Sequence, residues 1–181
     1  MAWIIAIISI VALFLLSGCK KPVKPVEPEP DITEMKLFVP YERVQGKDWC
    51  LPASGAMVFK YHGDNTTQAS IANKIMVNGI GSTFALCSFA RELGFIADWK
   101  RKSIGEIEGY LREGIPLIVI QRYSLSIKNN HTRVIIGFDS VKEELTLHDS
   151  AGKSNYKMSY EAFFKLGFDS SEMSQIIIIR R

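Results

Sequence analysis

The sequence predicts an α+β domain, a set of short helices followed by an antiparallel sheet. Three observations carry this reading. Apolar residues recur at helical spacing in the first half, Ser or Thr residues stand where those helices need N-caps, and branched residues then gather in short runs from Pro116 onward.

The first helix starts at Cys50, with Ala53, Ala56, Met57 and Tyr61 on one face and Gly63 able to end it. A short second helix is expected from Thr67 to about Lys74. Ser82 can cap a third, whose stripe is Leu86, Phe89, Ala90 and Leu93, with Gly94 at its end. Ser103 followed three residues later by Glu106 has capping-box spacing, and that helix should reach Arg112 before Gly114. Pro116 to Arg122, Thr132 to Phe138 and Glu144 to His148 then read as strands, the last two flanking a turn near Asp139 to Lys142. Ser159 can cap a short helix through Lys165, and Ile176 to Ile179 reads as a strand covered on both faces. A helical lobe followed by a sheet lobe implies a cleft between them, which would bring Cys50 to His131 and Asp149.

This domain is expected to span residues 36–181, preceded by two other segments. Ala2 to Leu16 is almost wholly apolar, short for a membrane span but suited to a signal segment. It runs into Leu16-Ser17-Gly18-Cys19, which resembles the bacterial lipoprotein signal, where the cysteine is lipidated and becomes the first residue of the mature chain. The expectation is a signal over residues 1–19, a lipid on Cys19 and a domain held at a membrane of the bacterial cell envelope, outside the cytoplasm. An uncleaved anchor is the alternative, because Lys20, Lys21 and Lys24 follow the apolar run and no Lys or Arg precedes it. Residues 20–35, with Pro22, Pro25, Pro28 and Pro30, read as an extended tether or, less simply, as a proline-rich ligand.

A net charge of +3, from 22 basic and 19 acidic residues, is too mild for a nucleic-acid surface. The sequence shows no phosphate-binding glycine loop, no paired-cysteine zinc spacing and no internal repeat. No metal or organic cofactor is expected, and the oligomeric state is open.

The chemistry concentrates at Cys50. A helix N-terminus offers unpaired N–H groups and the positive end of the dipole, and both favour a thiolate. His131 and Asp149 follow in the order that a nucleophile, a base and an orienting acid require. Each also has a plainer reading: Cys50 as a buried residue or in a disulfide with Cys87, His131 as the start of a strand, Asp149 as a turn carboxylate. His148 competes with His131, but neighbouring strand residues point to opposite faces, so His148 and Asp149 cannot both face a cleft; His148 is assigned to structure. His62 suits a dipole contact at a helix C-terminus, Trp49 suits packing beside Cys50, and Tyr156, Tyr160, Phe163 and Phe164 suit the core.

The ordered set of motifs resembles a papain-like cysteine peptidase, most of all the bacteriocin-processing, double-glycine peptidases and their free-standing lipoprotein relatives. The matching pieces are Gln45 with Asp48-Trp49-Cys50, Lys60-Tyr61-His62-Gly63, Thr67-Gln68 with Ile71-Ala72, His131 before Val134-Ile135-Ile136-Gly137-Phe138-Asp139, and Leu147-His148-Asp149-Ser150-Ala151-Gly152. The resemblance implies that Cys50 is the nucleophile, His131 the general base, Asp149 its orienting partner and Gln45 a side-chain donor to the oxyanion. Three positions depart from the pattern: Gln45 lies five residues before Cys50 rather than six, Leu51 replaces Gly, and Ser150 replaces Pro. The implied partner is a polypeptide of the envelope or an exported one. The alternatives are an acyltransferase or amidase working through the same thioester, and a catalytically silent module that holds a peptide uncut.

Overall fold

The first helix, α1 (Cys50–Tyr61), is buried on every side from Leu51 to Phe59. A helix apolar all round belongs in an interior, and this one lies between the sheet on one side and helices α2 (Gln68–Ile75) and α3 (Thr83–Glu92) on the other. The stripe expected of α1 is therefore only part of its buried surface. In this computed structural model the described residues are 31–168 and 173–181, and those from Ile32 onward form one compact unit. The Cys19 expectation and the signal segment lie outside the described residues.

Local sequence explains the helix ends. Thr67, Ser82, Ser103 and Ser159 each accept a hydrogen bond from a first-turn N–H of α2, α3, α4 (Ile104–Arg112) and α5 (Tyr160–Lys165). At α4 the capping box is complete, with the Glu106 carboxylate accepting from the Ser103 N–H at 3.0 Å. Past α1, Gly63 adopts φ +81° and the next N–H, of Asp64, reaches back to the Phe59 carbonyl at 2.9 Å, which closes the helix as expected. Leu93, expected on the α3 stripe, is instead a half-exposed C-cap residue, because it falls where the helix has already ended. His62 also differs from expectation. Its Nε2–H donates to the strand carbonyl of Ile179 at 3.0 Å, and burial holds its pKa below the ordinary value, so it is a neutral bridge rather than a cation at a helix end.

The main sheet has seven strands, antiparallel throughout: β4 (Ile96–Lys102), β9 (Ser174–Arg180), β5 (Leu117–Arg122), β6 (Asn130–Asp139), β7 (Glu144–Asp149) and β8 (Lys153–Ser159) in that order, with β1 (Glu34–Lys36) also pairing β6. The predicted strands are all present, and the run Ile176 to Ile179 is buried on both faces in an interior strand between β4 and β5. Four further features went unpredicted: β1, β4, β8 and the small hairpin of β2 (Met76–Val77) and β3 (Ile80–Gly81). β4 and β8 are edge strands, mostly exposed and rich in charge, so they carry little apolar signal. The helical and sheet halves are thus less segregated along the chain than expected.

β1 moves the start of the folded part ahead of residue 36, into the stretch read as tether. It lies against β6 where β5 no longer does, with Lys36 opposite Gly137. There the backbones approach so closely that a Cβ on Gly137 would stand 2.5 Å from the Met35 carbonyl oxygen. Gly137→Ala is expected to push β1 away and cost about 1–3 kcal/mol of stability. Urea unfolding measures this; an unchanged midpoint would show that β1 contributes nothing.

Candidate active site

Cys50 is the first residue of α1, and its helix start differs from the other four. Trp49 occupies the N-cap and makes no side-chain cap bond. The first-turn N–H groups therefore lack a capping oxygen, at the helix end where the Cys50 thiol stands. The preceding loop is constrained: Asp48 has φ +61°, a costly conformation for a residue with a Cβ, and a Cβ on Gly46 would stand 2.3 Å from the Trp49 ring. The turn thus needs Gly46 bare so that Trp49 can pack beside Cys50.

The facing wall is the start of β6. His131 and Thr132 sit there, both buried, and Ser54, one turn along α1 from Cys50, meets Thr132 hydroxyl to hydroxyl at 3.0 Å. This contact sets the register of α1 on β6 and brings the thiol of Cys50 to His131. His131 Nε2 bonds Asp149 Oδ1 at 2.8 Å, which leaves Nδ1 for the hydrogen bond with Cys50. The Asp149 carboxylate is fully engaged: Oδ1 also accepts the Ala151 N–H at 2.9 Å and Oδ2 accepts Arg133 Nε at 3.0 Å. The Tyr123 ring stands edge-on to the imidazole, 4.9 Å between centroids.

Burial resists charge on all three groups, and in each case their partners outweigh it. The Cys50 thiol is held below an ordinary thiol pKa: against burial stand the bond to His131, the positive charge of that ring, and hydrogen bonds from the Thr132 hydroxyl and N–H. Thr132 has one hydroxyl hydrogen, so when that proton goes to sulfur, Ser54 must be the donor in the hydroxyl pair. His131 is raised, burial being overcome by the bonds to Asp149 and Cys50 and by their charges. Asp149 is lowered, burial being overcome by His131, the Ala151 N–H and the Arg133 charge. The result favours a thiolate beside an imidazolium.

Cys50, Thr132 and His131 open onto a cleft of about 960 Å³, walled also by Trp49, Ile80, Ile120, Tyr123 and Ile127. Cys50 and Cys87 are free thiols, so the disulfide alternative is not formed. His148 points away, bonding the Val39 carbonyl at 3.0 Å and accepting the Asn155 N–H at 3.1 Å, which bears out its structural assignment. Gln45 is not brought to the site. Its neighbours Val44 and Gly46 line the cleft, but Gln45 is exposed and off the wall, its N–H bonded to Gln68 Oε1 at 3.1 Å. The glutamine buried beside this loop is Gln68, which also donates to Glu42 Oε2 and the Arg43 carbonyl and so fixes the loop's path. Sequence reasoning missed Ser54, Thr132, Tyr123 and Arg133; the available signals were the one-turn spacing from Cys50 and a charged residue, two after His131, heading an apolar strand. Among the described residues no cluster of His, Cys, Asp or Glu could hold a metal ion.

The fold and this cleft define a papain-like peptidase architecture of the C39 type. Residues 35–170 match the Peptidase_C39 like family, and the chain belongs to it. Among solved structures it is similar to a C39-like peptidase from Bacillus anthracis, with TM-score 0.65 and 21% identity over 82% of this chain and 98% of that one. It is also similar to the peptidase domain of Streptococcus ComA, a bi-functional ABC transporter involved in a quorum-sensing pathway (TM-score 0.61, 21% identity, 79% and 98% covered). A third is a double-glycine-motif protease from an AMS/PCAT transporter in complex with its leader peptide (TM-score 0.61, 20% identity, 80% and 93% covered). At these identities the likeness is one of fold. Comparison with curated protein sequences gives no match.

Thr132→Val removes one donor to the sulfur and strands the buried Ser54 hydroxyl. The Cys50 pKa is expected to rise, read from the pH dependence of iodoacetamide alkylation, and stability to fall by about 1–3 kcal/mol. A variant that titrates and unfolds as wild type would remove Thr132 from the site.

Proposed function

We propose that the chain is a cysteine peptidase that hydrolyses a polypeptide through Cys50, His131 and Asp149. The observation that supports this best is the hydrogen-bonded series from sulfur through imidazole to carboxylate, at an uncapped helix N-terminus on the wall of an open cleft. The Cys50 thiolate attacks the scissile carbonyl carbon, forming a carbon–sulfur bond and an oxyanion. Collapse of that intermediate breaks the carbon–nitrogen bond as imidazolium gives its proton to the departing amine. His131, now neutral, takes a proton from water, whose oxygen attacks the thioester and releases the acid and the thiolate. Asp149 holds the ring for both transfers.

The oxyanion falls to the N–H groups at the start of α1, favoured by the helix dipole. A polypeptide substrate is supported by the apolar cleft walls and by the leader peptide bound to the double-glycine protease of similar fold. The tether to a bacterial membrane through a lipidated Cys19 completes the reading and places the substrate near the envelope.

The pH dependence follows from the directions of the two shifts. The lowered Cys50 pKa means that thiolate persists as pH falls until it drops through that pKa; the raised His131 pKa means that imidazolium persists as pH rises until it passes that one. Alkylation of Cys50 should therefore remain appreciable below about pH 7, against about 8.5 for a free thiol, and peptidase activity should be bell-shaped. His131→Ala should return the thiol toward the free value and abolish activity. Asp149→Asn should act partially, and His148→Ala should lower stability yet leave the thiol titration in place. Wild type that titrates like free cysteine, with no effect of His131→Ala, would refute the pair.

Proteomics of the envelope from wild type and Cys50→Ala strains should reveal protein termini that need Cys50. Thioester products captured only by amines, with no free acid, would make the chain an acyltransferase instead. Mass spectrometry of the isolated protein should find acylated Cys19 at its N-terminus; an intact Met1 with unmodified Cys19 would overturn the anchor.

A further inference from the structure

Arg133 is 4% exposed, at the head of the apolar run Val134 to Phe138 in β6. A guanidinium is an expensive group to bury, and an apolar side chain of similar volume would fill such a site at less cost. Its hydrogen bonds show what it holds. Nε donates to Asp149 Oδ2 at 3.0 Å, Nη2 to the Tyr123 carbonyl at 2.7 Å, and Nη1 to the Arg122 carbonyl at 3.2 Å and Gln121 Oε1 at 3.4 Å. Gln121 is itself pinned by its amide to the Phe163 carbonyl at 2.7 Å. One planar group thus ties the carboxylate at the end of β7 to the point where β5 leaves the sheet.

Both of those places touch His131. Asp149 accepts its Nε2 proton, and Tyr123 lies edge-on to the ring. His131 and Arg133 are two apart on β6 and so share a face, and the pairing of Val134 with His148 puts Arg133 beside Asp149. We infer that Arg133 is the positioning residue of this site: by bonding Asp149 and the Tyr123 main chain together, it sets the imidazole between an oriented carboxylate and an aromatic edge. This rests on the reading of Cys50 and His131 as a reactive pair.

Without Arg133, Asp149 Oδ2 is a buried oxygen with no donor. The carboxylate can then rotate away from His131 or take a proton, and either outcome withdraws its support from the imidazolium. The Tyr123 carbonyl is freed at the same time, so the residue that presents the aromatic edge keeps only its N–H bond to the Asn129 carbonyl. Lysine keeps the charge but is a single point donor that cannot span the two sites, whereas the guanidinium fork can.

The test uses the full chain as wild type, Arg133→Lys and Arg133→Met, each first checked for folding by circular dichroism and cooperative melting. Two readouts are then taken: the pH profile of iodoacetamide alkylation mapped to Cys50, and the ring N–H resonance of His131 in protein labelled with ¹⁵N-histidine. The expected result is that the folded variants lose the protected Asp149-bonded ring proton, and that alkylation near pH 6 falls about tenfold, the loss of thiolate that a rise of about one pKa unit gives, with alkylation near pH 10 unchanged. Should Arg133→Met not fold, Arg133→Lys decides. A folded variant that keeps the wild-type profile and resonance assigns Arg133 to packing alone and overturns the inference. A wild-type thiol that titrates like free cysteine overturns the pair itself, an outcome visible without any Arg133 variant.

Discussion

The site depends on how α1 is seated on β6. The helix is enclosed on all sides, so it cannot roll or slide without disturbing the core, and the buried Ser54–Thr132 bond fixes its register one turn from the thiol. Rigid placement of this kind turns two residues 81 apart in sequence into hydrogen-bonded partners. Everything else around Cys50 follows from that docking. The absent side-chain cap, the left-handed Asp48 and the bare Gly46 are local irregularities, and the packed helix behind them can sustain the strain.

Electrostatically the site is a contest between burial and pairing. Cys50, His131 and Asp149 are each partly or largely withdrawn from water, which alone would leave the thiol protonated and the imidazole neutral. The alternation of charges along the series reverses both tendencies, because each ion is the nearest partner of the next. Removing any one member therefore changes the protonation of its neighbours, and effects of substitutions within the series will not be additive.

Family membership and fold agree with this local chemistry without supplying it. The C39-type relatives share the architecture at about one residue in five, so the roles given to individual side chains stand on the geometry of this chain. Here that geometry includes Thr132 at the sulfur and Arg133 on the carboxylate.

Much of this molecule was legible in its sequence. Thr67, Ser82, Ser103 and Ser159 mark four helix starts because capping is a local act, satisfied within three residues. The central strands were visible because burial on both faces demands continuous apolar runs, and His148 could be set aside by strand alternation alone. The edge strands β4 and β8, the tether-derived β1 and the exposed Gln45 were not legible, since nothing apolar marks a strand that faces water, and a loop's side chain takes its direction from distant partners such as Gln68. The sequence by itself determined the helix and strand segments of the core and the candidate nucleophile, acid and base in order. Only the tertiary structure decided that Arg133 and Asp149 meet behind His131, that Thr132 faces the sulfur and that Gln45 does not, because those outcomes depend on sheet register and helix docking, which join residues far apart in the chain.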